Sequence, residues 1–125
     1  MARCVTAMTA LRAGCLMLAA LSASSALAHA VVKQSVPAQG AVLRAAPPEV
    51  RITFNEKVEK MFTTATVKNA AGATVSSARA ALDPADPSTL RLPLPALKAG
   101  KYSVHWTAVG GDGHRRTGQL RFTIN

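Results

Sequence analysis

Four stretches of this chain alternate apolar and polar side chains with a period of two. Val50, Ile52 and Phe54 share one face, with Arg51, Thr53 and Asn55 on the other. Leu90, Leu92 and Leu94 repeat the pattern. So do Tyr102, Val104, Trp106 and Ala108, and then Gly118, Leu120, Phe122 and Ile124. Successive side chains of a strand point to opposite faces, so this spacing builds half-buried strands rather than helices. Shorter β-branched runs at Ala30 to Val36, Phe62 to Lys68 and Ala73 to Ala78 add three more. Turn signals at Gln39-Gly40, Asn69-Ala70-Ala71-Gly72 and Ala99-Gly100 separate them. Ala45 to Pro48 and Leu82 to Pro87 read as loops, and the prolines at 93 and 95 confine the 89–94 strand to a sheet edge. Seven short strands with a turn about every ten residues predict an all-β fold, an antiparallel β-sandwich or Greek-key barrel. The Cys…Trp…Cys spacing of antibody domains is absent, so it is immunoglobulin-like in architecture only.

The first 28 residues stand apart from that pattern. Arg3 and Arg12 form a basic start, Ala13 to Leu27 is small, apolar and uncharged, and Ala26-Leu27-Ala28 is an A-x-A cleavage pattern. These are the marks of a secretory signal peptide over 1–28. The apolar run is short for a membrane span of ~20 residues. Arg12, three residues before Cys15, is wrong for a lipoprotein signal. One domain over 29–125 follows.

Cleavage after Ala28 removes both cysteines, Cys4 and Cys15, and leaves Met61 as the single methionine. No disulfide or thiol chemistry then remains, although the compartment permits disulfides. Thirteen basic residues face six acidic ones. Exported chains rarely meet nucleic acid, and only Arg115-Arg116 are adjacent, so the charge suits solubility or an inner-membrane surface and not a nucleic acid.

Chemistry concentrates in two places. Gly110-Gly111-Asp112-Gly113-His114 is a tight turn between two strands, with a carboxylate and an imidazole two residues apart. Taken alone it is also what an ordinary hairpin with a polar tip looks like. Cleavage after Ala28 makes His29 the N-terminal residue. A free α-amine and Nδ1 of the same histidine close a six-membered chelate on one metal ion, which Nε2 cannot do. His114 adds a third nitrogen and Asp112 an oxygen. Three nitrogens and one oxygen in a tetragonal arrangement suit Cu(II) best, whereas Zn(II) prefers a tetrahedral site. Ala28-His29-Ala30 is itself an A-x-A pattern, and cleavage after Ala30 removes the chelate. The Ser-Ala-Leu-Ala run favours Ala28.

The remaining candidates read as bland. His105 alternates with the apolar face and points outward, solvated. Met61 reads as a packing residue. Glu56 reads as a solvated loop carboxylate, with a weak oxygen ligand as the alternative. Arg115 is a partner for Asp112 or surface charge. Neither a nucleophile elbow nor a phosphate loop is present, so hydrolysis is not indicated.

The sequence resembles the CopC family of periplasmic copper-binding, copper-resistance proteins. The resemblance rests on His29-Ala30 after the leader, Val50 to Glu56, Tyr102-Ser103-Val104-His105-Trp106, Gly111-Asp112-Gly113-His114 and the closing Leu120 to Ile124. It implies a seven-stranded Greek-key β-barrel and one Cu(II) per chain, held by His29 through amine and imidazole, Asp112 and His114. It further implies a periplasmic monomer with a role in copper storage, buffering or delivery, and no enzymatic activity. Some members carry a Cu(I) site in a Met-rich loop at the far end of the barrel. Here that loop region holds only Met61, so a Cu(II)-only binder is expected. Other members are fused to a membrane protein of the CopD type; here such a partner is expected to be a separate inner-membrane chain. Two other readings compete. A copper monooxygenase-like centre uses the same ligand types but needs an open coordination position and a substrate surface. A plain β-sandwich interaction module binds no stoichiometric metal.

Overall fold

The computed structural model describes residues 30–125. Eight strands are present: β1 (Val32–Val36), β2 (Ala41–Leu43), β3 (Glu49–Phe54), β4 (Thr64–Asn69), β5 (Ala81–Asp83), β6 (Asp86–Pro93), β7 (Gly100–Val109) and β8 (Arg115–Ile124). They form two four-stranded sheets, ordered β1-β3-β6-β5 and β2-β8-β7-β4. The chain passes from one sheet to the other at almost every connection. Only β5–β6 and β7–β8 are hairpins within a sheet. This is the expected all-β Greek-key sandwich.

The period-two faces meet between the sheets. Val50, Ile52, Phe54, Leu90 and Leu92 from one sheet pack on Val67, Val104, Leu120, Phe122 and Ile124 from the other, all buried. Fully burying one such side chain contributes about 1.5–3 kcal/mol, which is how the fold holds without a disulfide. Tyr102 and Trp106 both face inward as the alternation predicts. Tyr102 stacks on Phe122 with ring centroids 5.4 Å apart, and Trp106 meets Phe54 edge-on at 5.2 Å. Trp106 lies across Gly118, its register partner on β8, where a Cβ would collide with the indole. That close approach is why glycine occupies an inward strand position there.

The strand inventory differs from the expected seven. Ala73 to Ala78 is not a strand. It runs beside β4 through a single bridge, Lys68 to Thr74, and through Val75 N–H to Val67 O at 2.8 Å. The Ser76 hydroxyl accepts from Val67 N–H, where a ladder would use a backbone carbonyl. Two other strands were hidden. β2 is three residues long and pairs with β8 in parallel, the one exception to antiparallel pairing. β5 lies inside the stretch read as a loop, and only Pro84-Ala85 turn the chain between β5 and β6. The edge placement of the 89–94 strand is also corrected. β6 sits between β3 and β5. Pro93, the last residue of β6, is tolerated because β5 reaches only Arg91, so it lies where β6 has outrun that neighbour, and Pro95 lies beyond the strand.

Candidate metal centre

The Gly110–His114 turn joins the two longest strands, β7 and β8, at their far end from Gly100. Gly113 N–H bonds Gly110 O at 3.0 Å and Gly110 N–H bonds His114 O at 3.3 Å. Gly113 has φ +79°, a left-handed conformation open to glycine at no steric cost. The result is a three-residue hairpin loop, a tight turn closed by a left-handed residue.

Inside this frame Asp112 organises His114. Asp112 Oδ1 accepts the His114 backbone N–H at 3.0 Å, and Oδ2 lies 2.8 Å from His114 Nδ1. The two-residue spacing is what permits both contacts from one carboxylate. The carboxylate fixes the ring orientation and makes Nε2 the nitrogen that points away from it. Metal-binding histidines are held in the same manner, with one ring nitrogen on a carboxylate and the other on the ion. His114 is 55% exposed at its side chain and Asp112 27%, so the pair stands at the surface.

Two further segments converge on the turn. The connection after β3 runs alongside it, with a bridge from Val58 to Gly110 and a bond from Glu59 N–H to Val109 O at 2.7 Å. This places the Glu56 carboxylate against Gly110, where a Cβ would overlap Glu56 Oε1 and stand 3.2 Å from Asp112 Oδ1. Glu56 is therefore not the solvated loop residue expected. Its Oε1 is buried and has no hydrogen-bond donor. A buried acceptor without a donor costs about 1–3 kcal/mol, more when charged, unless something else satisfies it. The signal that could have located Glu56 is its place directly after the β3 alternation ends, beside Asn55.

The third segment is the start of the described chain. Val31 N–H bonds Asn55 Oδ1 at 2.8 Å and Asn55 N–H bonds Val31 O at 2.9 Å. Ala30 is 1% exposed and belongs to the core. The chain thus enters the fold next to Asn55-Glu56, at the same end as the turn. His29 and the 1–28 leader lie outside the described residues.

The other candidates are placed elsewhere or differently. His105 faces outward as expected, roughly 16 Å from the turn by strand rise, and its ring nitrogens meet Ser103 Oγ at 3.0 Å and Gln119 Nε2 at 3.3 Å. Met61 is not a packing residue but 84% exposed. It also does not belong to a far-end loop: its neighbour Phe62 lines an open cavity of about 390 Å³ with Glu59, Gly110, Gly111, Gly113 and Arg115. Arg115 forms no ion pair with Asp112 among the described residues. No group of three or more His, Cys, Asp or Glu side chains able to hold a metal occurs among the described residues.

The CopC domain family matches residues 32–125. The copper resistance protein C of Escherichia coli is 35% identical over 109 residues, covering 82% of this chain and 86% of that protein. The copper transport protein CutJ of Bacillus subtilis is 32% identical over 101 residues, which is 80% of this chain but only 19% of CutJ. Among solved structures, CopC from Methylosinus trichosporium OB3b superposes with a TM-score of 0.73 at 26% identity, covering 78% of this chain and 94% of that one. PcoC from Escherichia coli, a methionine-rich copper resistance protein, gives 0.69 at 31% identity, with 78% and 100% covered.

Proposed function

The chain belongs to the CopC family, and we propose that it is a periplasmic Cu(II)-binding protein that stores, buffers or delivers one copper ion per chain. The observation that carries this reading is the Asp112–His114 pair, oriented within a tight turn beside the unsatisfied Glu56 oxygen. A cation at this end supplies what that oxygen lacks. The proposed donors are His114 through Nε2 and the amine and Nδ1 of His29 after cleavage at Ala28, with Asp112 orienting the His114 ring; direct donation by Asp112, which the resemblance implies, requires its carboxylate to release Nδ1. Burial of Ala30 in the core supports that cleavage position, because cutting after Ala30 would remove a core residue.

Nitrogen and carboxylate donors favour Cu(II) over Cu(I), and a lone exposed Met61 does not make a soft site. We read the protein as a monomeric carrier rather than an enzyme, with a separate inner-membrane protein of the CopD type as its transfer partner. CutJ, a copper transport protein of which this chain matches a fifth, supports such a pairing of a CopC-like unit with a longer machine.

Bound copper requires a neutral amine and neutral imidazoles, so uptake releases protons and weakens in acid. The test is Cu(II) titration of the processed chain against a competing chelator, followed by electron paramagnetic resonance. One tight site with nitrogen-rich coupling is expected. Unchanged affinity in His29→Ala, or after adding one residue before His29, rules out the chelate. Copper-dependent peroxide formation or glycan oxidation would move the reading to an oxidase-like centre.

A further inference from the structure

The end of the sandwich that bears the turn also bears a concentrated apolar exposure. Met61 is 84% exposed and Phe62 54%, and they are consecutive in the β3–β4 connection. Phe62 walls the open cavity whose other side is the turn backbone and Arg115. The other exposed large apolar residues, Val31, Val36 and Val42, do not line that cavity. Exposed cations accompany the pair at this end. Lys57 and Lys60 precede it in the same connection, and Arg115 and Arg116 follow the turn on β8, all four exposed. Exposed apolar side chains with exposed cations in the same connection and on the adjoining strand are the composition that settles into the headgroup region of an anionic bilayer. The long basic side chains can lay their stems along the apolar surface and keep their charges at the phosphates.

The course of the chain gives a second reason. Ala30 enters the fold beside Asn55, at this same end. The residues before it include the uncharged apolar run 13–27. While such a leader remains inserted, this end of the domain is the one held against the membrane.

We propose that Met61 and Phe62, with Lys57, Lys60, Arg115 and Arg116, form a peripheral contact with a bilayer containing anionic phospholipid, which holds the turn end of the protein at the membrane surface. The occupant is lipid, not an acidic protein, because Met61, 84% exposed, stands outside the cavity that Phe62 lines and offers apolar surface rather than a recess. Glu59 lines the same cavity and opposes the contact. The leader argument rests on the proposed signal peptide; the exposure and the charge do not. Copper has no part in the contact.

The test is vesicle flotation of the processed, metal-free protein with phosphatidylcholine alone and with added phosphatidylglycerol. Binding is expected only with the anionic lipid and is expected to weaken with salt. Each cation reversed, in Lys60→Glu or Arg115→Glu, should lower binding by about fivefold or more. Met61→Ser with Phe62→Ser should lower it at least as far, and Glu59→Gln should raise it. Lys98→Glu with Lys101→Glu, at the opposite end of β7, should change it much less. His114→Ala should float as wild type does, so failure of the copper reading and failure of this one remain separate. Three results overturn the proposal: no binding to anionic vesicles, equal loss in the Lys98/Lys101 variant, or full binding by the Met61/Phe62 variant. Capture by soluble polyglutamate with indifference to Met61 and Phe62 would instead assign the face to an acidic protein.

Discussion

The two hairpins of this sandwich make a controlled comparison. Both turns carry aspartates that bond their own backbone, and they differ in who completes the set. At the β5–β6 turn, Asp83 Oδ1 accepts Ala85 N–H at 2.9 Å and Oδ2 takes Arg51 at 3.1 Å. Asp86 Oδ1 accepts the Ser88 amide and hydroxyl, and Oδ2 accepts the Thr89 hydroxyl at 2.7 Å. Every carboxylate oxygen there has a donor from the protein. At the β7–β8 turn, Asp112 is spent on His114, and the neighbouring Glu56 leaves Oε1 buried without a donor. A turn whose acids are all answered internally is structural. On the proposed reading, a turn with an oriented imidazole and an unanswered oxygen beside it is prepared for a cation.

The largest effect should come from removing the organiser at one turn and its counterpart at the other. Asp112→Ala is expected to weaken Cu(II) binding by about 10–100-fold, the usual cost of losing a ligand-orienting carboxylate. Asp86→Ala should leave the affinity unchanged. Chelator competition on both variants measures the contrast, and equal losses would erase it.

Two glycine substitutions separate packing from site chemistry. A Cβ at Gly110 meets Glu56, and one at Gly118 meets Trp106. Gly118→Ala should lose about 1–3 kcal/mol of stability through overpacking on the indole, and Gly110→Ala less, because it meets the far end of the flexible Glu56 side chain. Only Gly110→Ala should also weaken copper binding. Thermal melts and titrations on the pair decide this.

Glu56→Gln is the next step down. It replaces a carboxylate whose Oε1 has no donor with an amide, so the metal-free protein should be as stable as wild type or more so, while Cu(II) binding falls by about tenfold. A large loss of stability without copper would mean that Glu56 already has its partner.

The smallest effect lies at the structural turn. The Ser88 hydroxyl, then the Thr89 hydroxyl and the Ser88 amide, hold the Asp86 carboxyl below the usual carboxylate range. A lowered folded pKa contributes stability above the ordinary carboxylate value and loses it as pH falls through the folded one. Asp86→Asn should therefore flatten the acid limb of the stability profile slightly, with no change at neutral pH in the copper titration.

What could be read from the sequence follows from how local each cause is. The strands at 50–54, 102–108 and 118–124 declare themselves because alternation is a property of consecutive residues. β2 and β5 do not, because three residues carry no period; β2 owes its strand character to Phe122 to Ile124, about eighty positions on, and β5 to a hairpin with Leu90 and Arg91 whose Asp-Pro-rich turn reads as a loop. The Asp112–His114 pair was legible for the same reason as the long strands: its geometry closes within five residues. Glu56 was not, because the Val58–Gly110 bridge that buries it joins residues more than fifty positions apart. Met61 misled because a lone apolar residue says nothing of its direction when no alternation surrounds it.

The burial of Ala30 and the paired bonds between Val31 and Asn55 give the first described residues no slack. Consecutive Cα atoms are about 3.8 Å apart, so a donor on residue 29 is tethered to a fixed post. On the proposed reading its amine exists only once the leader has been cut away. Proteolysis then acts as the arming step: the protein is translated without a finished copper site and acquires one on reaching the compartment where it is used.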